Sequence, residues 1–194
     1  DPDGDALSVL AVNGDAAGWG QSVAGSQGGS FTIHADGSYD FNPGAAFRDL
    51  AVGESRTSSV TYTVSDGEGG TATATVTVTV TGTNDAPVLS TDPGGQLGNQ
   101  SSTDSQTITD IDVTGQFTDP DSSDTLTYTA SGLPAGLTLD PDSGILSGTL
   151  DHSASQGGTG GIYTVTITAQ DGHGGTVSQD FTWTVTNPAP SATD

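Results

Sequence analysis

The sequence predicts an all-β chain made of two copies of one module, and three observations predict it. Residues 71–81 and 181–186 alternate apolar or small side chains with threonine, the period of a half-buried strand. Glycine, at 29 of 194 residues, recurs with aspartate in turn-forming pairs, and no long apolar stretch follows the helical period of 3.6. The end of each alternating segment is also punctuated alike, by Asn84-Asp85-Ala86-Pro87 and by Asn187-Pro188-Ala189-Pro190. Pro87 has no N–H and pushes Ala86 toward extended geometry, so ladder pairing must end near Asn84 and the chain crosses a stiff corner.

Charge bounds the partners. Two arginines (Arg48, Arg56) and no lysine face 24 acidic residues, for a net charge of −22. Such a surface repels a phosphate backbone and an anionic bilayer alike, so nucleic acid and direct membrane insertion are excluded as partners, and cations are favoured. With no cysteine, disulfides and thiol chemistry are absent, which leaves a metal as the available staple for small modules. No apolar run approaches the roughly 20 residues of a transmembrane helix, and no signal peptide is visible.

Two signatures align the copies. Residues 1–9, beginning Asp1-Pro2-Asp3-Gly4-Asp5, match the stretch that begins Asp119-Pro120-Asp121-Ser122-Ser123-Asp124, at an offset of 118. Asp66-Gly67-Glu68-Gly69-Gly70-Thr71 matches Asp171-Gly172-His173-Gly174-Gly175-Thr176 at an offset of 105, so the first copy carries 13 more residues between the signatures. An insertion of that size belongs in a loop or an added turn. The second copy has about thirty residues ahead of Asp119, including a strand-like stretch at 107–118, and the first has none ahead of Asp1. The expectation is a window from a tandem array: residues 1–83 a module without its first two strands, 84–187 a whole one, 188–194 the start of a third.

Further residues carry a resemblance. Gly132-Leu133-Pro134-Ala135-Gly136-Leu137-Thr138-Leu139-Asp140, Ser143-Gly144-Ile145-Leu146-Ser147-Gly148-Thr149-Leu150 and Tyr163-Thr164-Val165-Thr166-Ile167 make the second module resemble cadherin-like repeats of the dystroglycan or putative Ig type. Gly29-Ser30-Phe31-Thr32-Ile33-His34-Ala35-Asp36-Gly37-Ser38-Tyr39-Asp40-Phe41 and Val60-Thr61-Tyr62-Thr63-Val64-Ser65-Asp66-Gly67 make the first resemble VCBS-type repeats of large bacterial RTX-type surface adhesins. The resemblance implies tandem Greek-key β-sandwiches of cadherin or Ig type, in proteins exported by type I secretion to the cell surface.

Within such a sandwich the acidic clusters gain a meaning. Asp119 and Asp121 fall between the second and third strands, Asp171 in the last hairpin, and both loops lie at the pole where the linker carrying Asn84 and Asp85 enters. Carboxylates about 4 Å apart repel by roughly 4 kcal/mol per pair at an effective dielectric of 20, so a cation must sit among them. Hard oxygen donors suit Ca²⁺. The resemblance adds Glu54, at the far pole of the preceding module, and assigns Asp151 to the next joint. Asp1, Asp3, Asp5 and Asp66 form the equivalent, incomplete outer set. A single loop aspartate reads as a turn former, and Asp36 and Asp140 read so.

Other chemistry is thin. His34, His152 and His173 are scattered without metalloprotease spacing and read as surface residues, and no nucleophile elbow appears, so the chain is not read as an enzyme. Gly157-Gly158-Thr159-Gly160-Gly161 precedes a strand and opens no helix, which removes a phosphate cradle. Trp183 alternates in register with Phe181 and Val185 and is expected in the core. Trp19, in the loop Ala17-Gly18-Trp19-Gly20, is expected to fold back as a lid on the first core; its other reading is a stacking platform for sugar. The function expected is a Ca²⁺-rigidified extracellular spacer of a bacterial adhesin that supports adhesion and biofilm formation. It would be a monomer whose partners are neighbouring repeats and a surface glycan or protein. The alternative is a carbohydrate-binding module within an adhesin or a polysaccharide-degrading system.

Overall fold

Threonine alternation produces the longest strands of the computed structural model, which describes residues 4–91 and 97–189. The chain divides into two units, one holding the residues up to Asn84 together with Asp121–Ser123, the other holding the remainder. The expected third module lies, from residue 190 on, outside the described residues.

In the first unit, β1 (Ser8–Val12), β5 (Ser55–Ser65) and β6 (Thr71–Thr81) form one antiparallel sheet in the order β1-β5-β6. Three short strands, β2 (Ser22–Ala24), β3 (Ser30–Ile33) and β4 (Tyr39–Asn42), form the other. Between the sheets lie the buried side chains of Val9, Val12, Phe31, Ile33 and Val60, with the Phe41 ring tilted against Phe31 at 4.7 Å between centroids. The buried Ser58 hydroxyl donates to the Gly28 carbonyl at 2.7 Å, so this polar group is satisfied.

The second unit contains β7 (Val88–Leu89), β8 (Gln100–Thr103), β9 (Ile111–Asp112), β10 (Phe117–Thr118), β11 (Thr127–Ser131), β12 (Leu137–Leu139), β13 (Ile145–Gly148), β14 (Ile162–Gln170) and β15 (Thr176–Thr186). One sheet runs β11-β14-β15-β8 and the other β12-β13-β9, with β7 paired to β10. The chain thus leaves β9 and β10, crosses to β11, returns for β12 and β13, and crosses again to β14, the Greek-key path of a β-sandwich. Phe181, Trp183 and Val185 are all buried, as the alternation requires, and the Trp183 indole N–H donates to the Ser102 hydroxyl at 3.2 Å.

Two expectations need correction. The stretch at 107–118 is not one strand. Thr107 makes only an isolated bridge to Thr149, and the Asp112 carboxylate accepts from the Thr114 N–H and hydroxyl at 2.8 and 2.7 Å, turning the chain into a 3-10 turn at Thr114–Gln116. The side chain offers the backbone a partner that competes with the ladder. Trp19 is not a lid, because 46% of its surface is exposed and it stands outside the core cluster. Gly18 takes the inward place instead: a Cβ there would lie within 3.2 Å of Val12, so backbone closes that end of the core. The extra residues of the first module sit at this same place. Seventeen residues (13–29) separate β1 from β3, where five (132–136) separate their counterparts β11 and β12, and β2 is built from the surplus.

The aspartates read as turn formers behave so. Asp36 Oδ1 accepts from the Ser38 N–H and hydroxyl, and Asp140 Oδ1 from the Asp142 and Ser143 N–H groups and the Ser143 hydroxyl. These bonds hold both carboxyls below the ordinary 3.8, as the Thr114 bonds hold Asp112 and the Arg56 guanidinium holds Asp49.

Substitution of Trp183 by alanine is expected to cost about 3–5 kcal/mol in denaturant unfolding, whereas Val76→Ala on the half-buried face of β6 costs about 1. The four turn and ion-pair carboxyls bind protons less readily folded than unfolded. Their stabilisation is therefore complete above the unfolded value of 3.8 and is lost as pH falls through the lower native values. NMR titration should place all four midpoints below 3.8, and a midpoint at or above it for Asp140 contradicts the turn geometry.

Candidate metal centre

The same five-residue turn closes the last hairpin of both modules, and its geometry follows from its glycines. Gly67 and Gly69 adopt φ of +82° and +104°, Gly172 and Gly174 +81° and +106°, values that L side chains rarely adopt. The reversal aims two N–H groups at one carboxylate oxygen. Asp66 Oδ1 accepts from Glu68 and Gly70 at 2.8 and 2.9 Å, and Asp171 Oδ1 accepts from His173 and Gly175 at 2.7 and 3.0 Å. The fifth position has to be glycine, because a Cβ on Gly70 or Gly175 would collide with the carboxylate it holds.

In the second unit this turn delivers a buried carboxylate to a cluster. Asp119, Asp124 and Asp171 each offer an oxygen, and the three oxygens lie within 4.8 Å of one another. Asp119 ends the segment after β10, Asp124 begins the approach to β11, and Asp171 lies between β14 and β15, so the two ends of one loop meet a hairpin far along the sequence. Asp171 is 3% exposed and the Asp124 side chain 3%. The His173 ring, 41% exposed, stands 3.1 Å from Asp124. All donors of the cluster are hard oxygens of opposite sign to a cation, gathered where their mutual repulsion is only partly screened, and this set fits Ca²⁺.

Of the residues predicted for the joint, Asp119 and Asp171 belong to this cluster. Asp121 is 1% exposed and falls outside it. Asn84 is half-buried and Asp85 exposed, and neither belongs to the three. Glu54 turns its carboxylate onto its own loop, where Oε2 accepts from the Ala51 N–H at 3.0 Å. Asp151 is exposed. For the outer set, Asp1 and Asp3 lie outside the described residues, Asp5 is exposed and Asp66 is held in its turn. The residue that sequence reasoning missed is Asp124. Its signal was present in the alignment that sets it near Asp5, but the Asp-x-Asp pair at 119 and 121 drew the assignment instead. His34 and His173 are surface residues with carboxylate neighbours, His34 standing 2.9 Å from Asp40.

Two family models match the sequence. The family model of a putative Ig domain matches residues 86–186, and that of a bacterial cadherin-like domain matches residues 1–82. No curated protein matches the sequence. Among solved structures, domains EC1-2 of human mucin-like protocadherin align over 96% of this chain and 86% of theirs, with 16% identity and a TM-score of 0.57. Domains EC1-2 of human protocadherin-24 align over 98% and 85%, with 17% identity and a TM-score of 0.54. These identities establish the fold alone. An alignment with a putative α-galactosidase from Bacteroides fragilis, at 19% identity and a TM-score of 0.37, spans 53% of this chain and only 18% of that much longer one.

Gly175→Ala should destabilise the second unit by about 1–3 kcal/mol, because the new Cβ meets both the buried Asp171 carboxylate and the Ala86 backbone. Gly70→Ala meets only the partly exposed Asp66 carboxylate and should cost less. Equal losses in chemical denaturation would refute this account of the turn.

Proposed function

The chain belongs to the putative Ig domain family through residues 86–186 and carries a bacterial cadherin-like domain before it, and on that premise we propose that it is a Ca²⁺-stiffened extracellular spacer of a bacterial adhesin. Modules of these families are typically structural and non-enzymatic. The single observation that carries the calcium reading is the convergence of Asp119, Asp124 and Asp171 oxygens within 4.8 Å.

A bound Ca²⁺ supplies the positive charge that makes this crowding tolerable. The rest is done by the chain. Asp171 is held by two backbone N–H groups, which fixes its position before any ion arrives and reduces the ordering cost of binding. Asp119 and Asp124 bracket a four-residue loop, so fixing both ties down its two ends. Ala86 lies against Gly175, in the same turn that positions Asp171, so the segment just after Asp85 packs on the hairpin that serves the site. Asp85 is one residue away and is the group through which the linker would join the ligand set, with Asn84 beside it. Order at the site then becomes order in the linker, and a run of such modules becomes a rod that holds an adhesive end away from the cell. Its partners are the neighbouring repeats, and its place is the cell surface after type I secretion. No helix among the described residues is long and apolar enough to cross a membrane.

Extracellular modules bind Ca²⁺ with a dissociation constant of about 10⁻⁴ to 10⁻³ M, so about 10 mM Ca²⁺ is enough to populate the site. At a hundredfold excess over that constant, each site adds about 2.7 kcal/mol to folding. Calorimetry in Ca²⁺ against EDTA should raise the melting temperature of the second unit by several degrees, small-angle scattering should show a larger maximum dimension, and Asp124→Asn or Asp171→Asn should abolish both changes. Identical melting with and without the ion in the unsubstituted protein ends the calcium reading.

A further inference from the structure

Of the two aromatic side chains carried by the first module's loops, Phe47 is buried and Trp19 is not. It lies in the surplus segment 13–29 that the second module lacks, and it leaves 46% of its surface in water while Phe31 and Ile33 beside the same loop are wholly buried. The loop that carries it is tied at every step. Asn13 (φ 48°) and Gly14 (φ 82°) make a tight two-residue turn, with Val12 and Asp15 exchanging N–H···O bonds of 2.9 Å in both directions. The Asn13 side chain accepts from the Thr61 N–H and hydroxyl, pinning that turn to β5. The Asp15 carboxylate accepts from Ala17 and its carbonyl from Gly18. Gly18 is buried on Val12, and the Gly20 N–H donates to the Ile33 carbonyl at 2.7 Å. The backbone on both sides of the indole is fixed to the sandwich, and the indole is the part left out.

From this geometry we propose that Trp19 is a stacking platform for a neutral sugar ring, so that the first module carries a glycan-binding site of its own. An indole face is electron-rich and prefers partially positive C–H groups, which one face of a pyranose presents as a patch. A sugar also needs hydroxyl partners. These stand just along the chain from the β3 carbonyl that holds Gly20: His34 and, across the β3–β4 ladder, Asp40, whose carboxylate lies 2.9 Å from the His34 ring. Charge selects the sugar. With a net charge of −22 and carboxylates of Asp15, Asp36 and Asp40 on this part of the module, uronates, sialic acids and sulfated sugars are repelled, and neutral hexoses are not. A preorganised loop costs little to bind, since the ring it offers is already ordered. The proposal is independent of the calcium reading, because no residue of the Asp119 cluster takes part in it.

The test uses tryptophan fluorescence of the whole chain. Trp183 is 1% exposed and silent to solutes, so a change on adding sugar reports Trp19. Cellohexaose, laminarihexaose and mannohexaose are titrated separately into the millimolar range, with a polyuronate hexamer as the anionic control, each in Ca²⁺ and in EDTA. At least one neutral hexamer is expected to give a saturable blue shift in both buffers, and the polyuronate none. Trp19→Ala should weaken that binding at least tenfold, measured by calorimetric titration, without moving the melting temperature, and Trp19→Phe should restore part of it. No saturable change with any neutral hexamer, undiminished binding by Trp19→Ala, or preference for the polyuronate overturns the proposal. Loss of the calcium-dependent melting shift with sugar binding intact refutes only the spacer reading.

Discussion

The aspartate-glycine turn at the tip of the last hairpin is the constraint from which the remainder of each module follows. It fixes the register of the longest ladders, Ser65 opposite Thr71 and Gln170 opposite Thr176, and from that first pair onward every side chain is committed to one face. A slip by one residue would put Thr182 and Thr184 into the core and Trp183 into water. The turn does this without a side chain at its fifth position, because the volume a Cβ would need is filled by the carboxylate. Register and site are therefore specified by the same five residues, and the chemistry of the cluster cannot be altered there without altering the fold.

The two modules then use the same ladder differently. On β15 the inward positions hold Phe181, Trp183 and Val185, and the outer edge is closed by β8, which lies parallel from Gln100 to Thr103, with Asn99 Oδ1 accepting from the Thr182 N–H. On β6 the corresponding positions are Val76, Val78 and Val80, only half-buried, and Ala72 and Ala74 are exposed. Among the described residues no strand pairs with the outer edge of β6. The first module thus draws less from apolar burial and more from its eleven-pair backbone ladder, from packed glycines and from side-chain bonds such as those of Ser58 and Asn13. A strand of threonine, alanine and valine with no charge in eleven residues suits that arrangement, since β-branched side chains favour the pleat without needing a deep core.

Much of this was legible. Period-two alternation located β6 and β15, and the paired signatures predicted a surplus in the first copy, which the structure places between β1 and β3. What escaped were cases where a polar side chain or a missing one overrode the pattern. Asp112 captured the Thr114 N–H and broke a strand that hydrophobicity alone would have continued. Gly18 closed the core where the eye went to Trp19, because a backbone without a Cβ can come nearer to Val12 than an indole can. Asp124 joined the cluster in preference to Asp121 because membership depends on which way a loop presents its carboxylates. Spacing in sequence records only that the loop has several to present.

That last point separates the acidic residues into two physical kinds. Asp36, Asp112 and Asp140 are satisfied by donors two or three residues away, and Asp49 by a guanidinium seven residues away. Their charge is consumed locally, and their lowered proton affinity is the mark of it. Asp119, Asp124 and Asp171 come from segments up to 52 residues apart, and folding brings their oxygens together against Coulomb repulsion. Backbone N–H groups hold Asp171 in place and the His173 ring stands against Asp124, but a hydrogen bond from a neutral donor leaves a carboxylate's charge where it is. A fold that gathers like charges from distant segments has committed free energy to the gathering, and in a chain with two arginines, one of them already bound to Asp49, that is the repulsion the proposed Ca²⁺ would relieve.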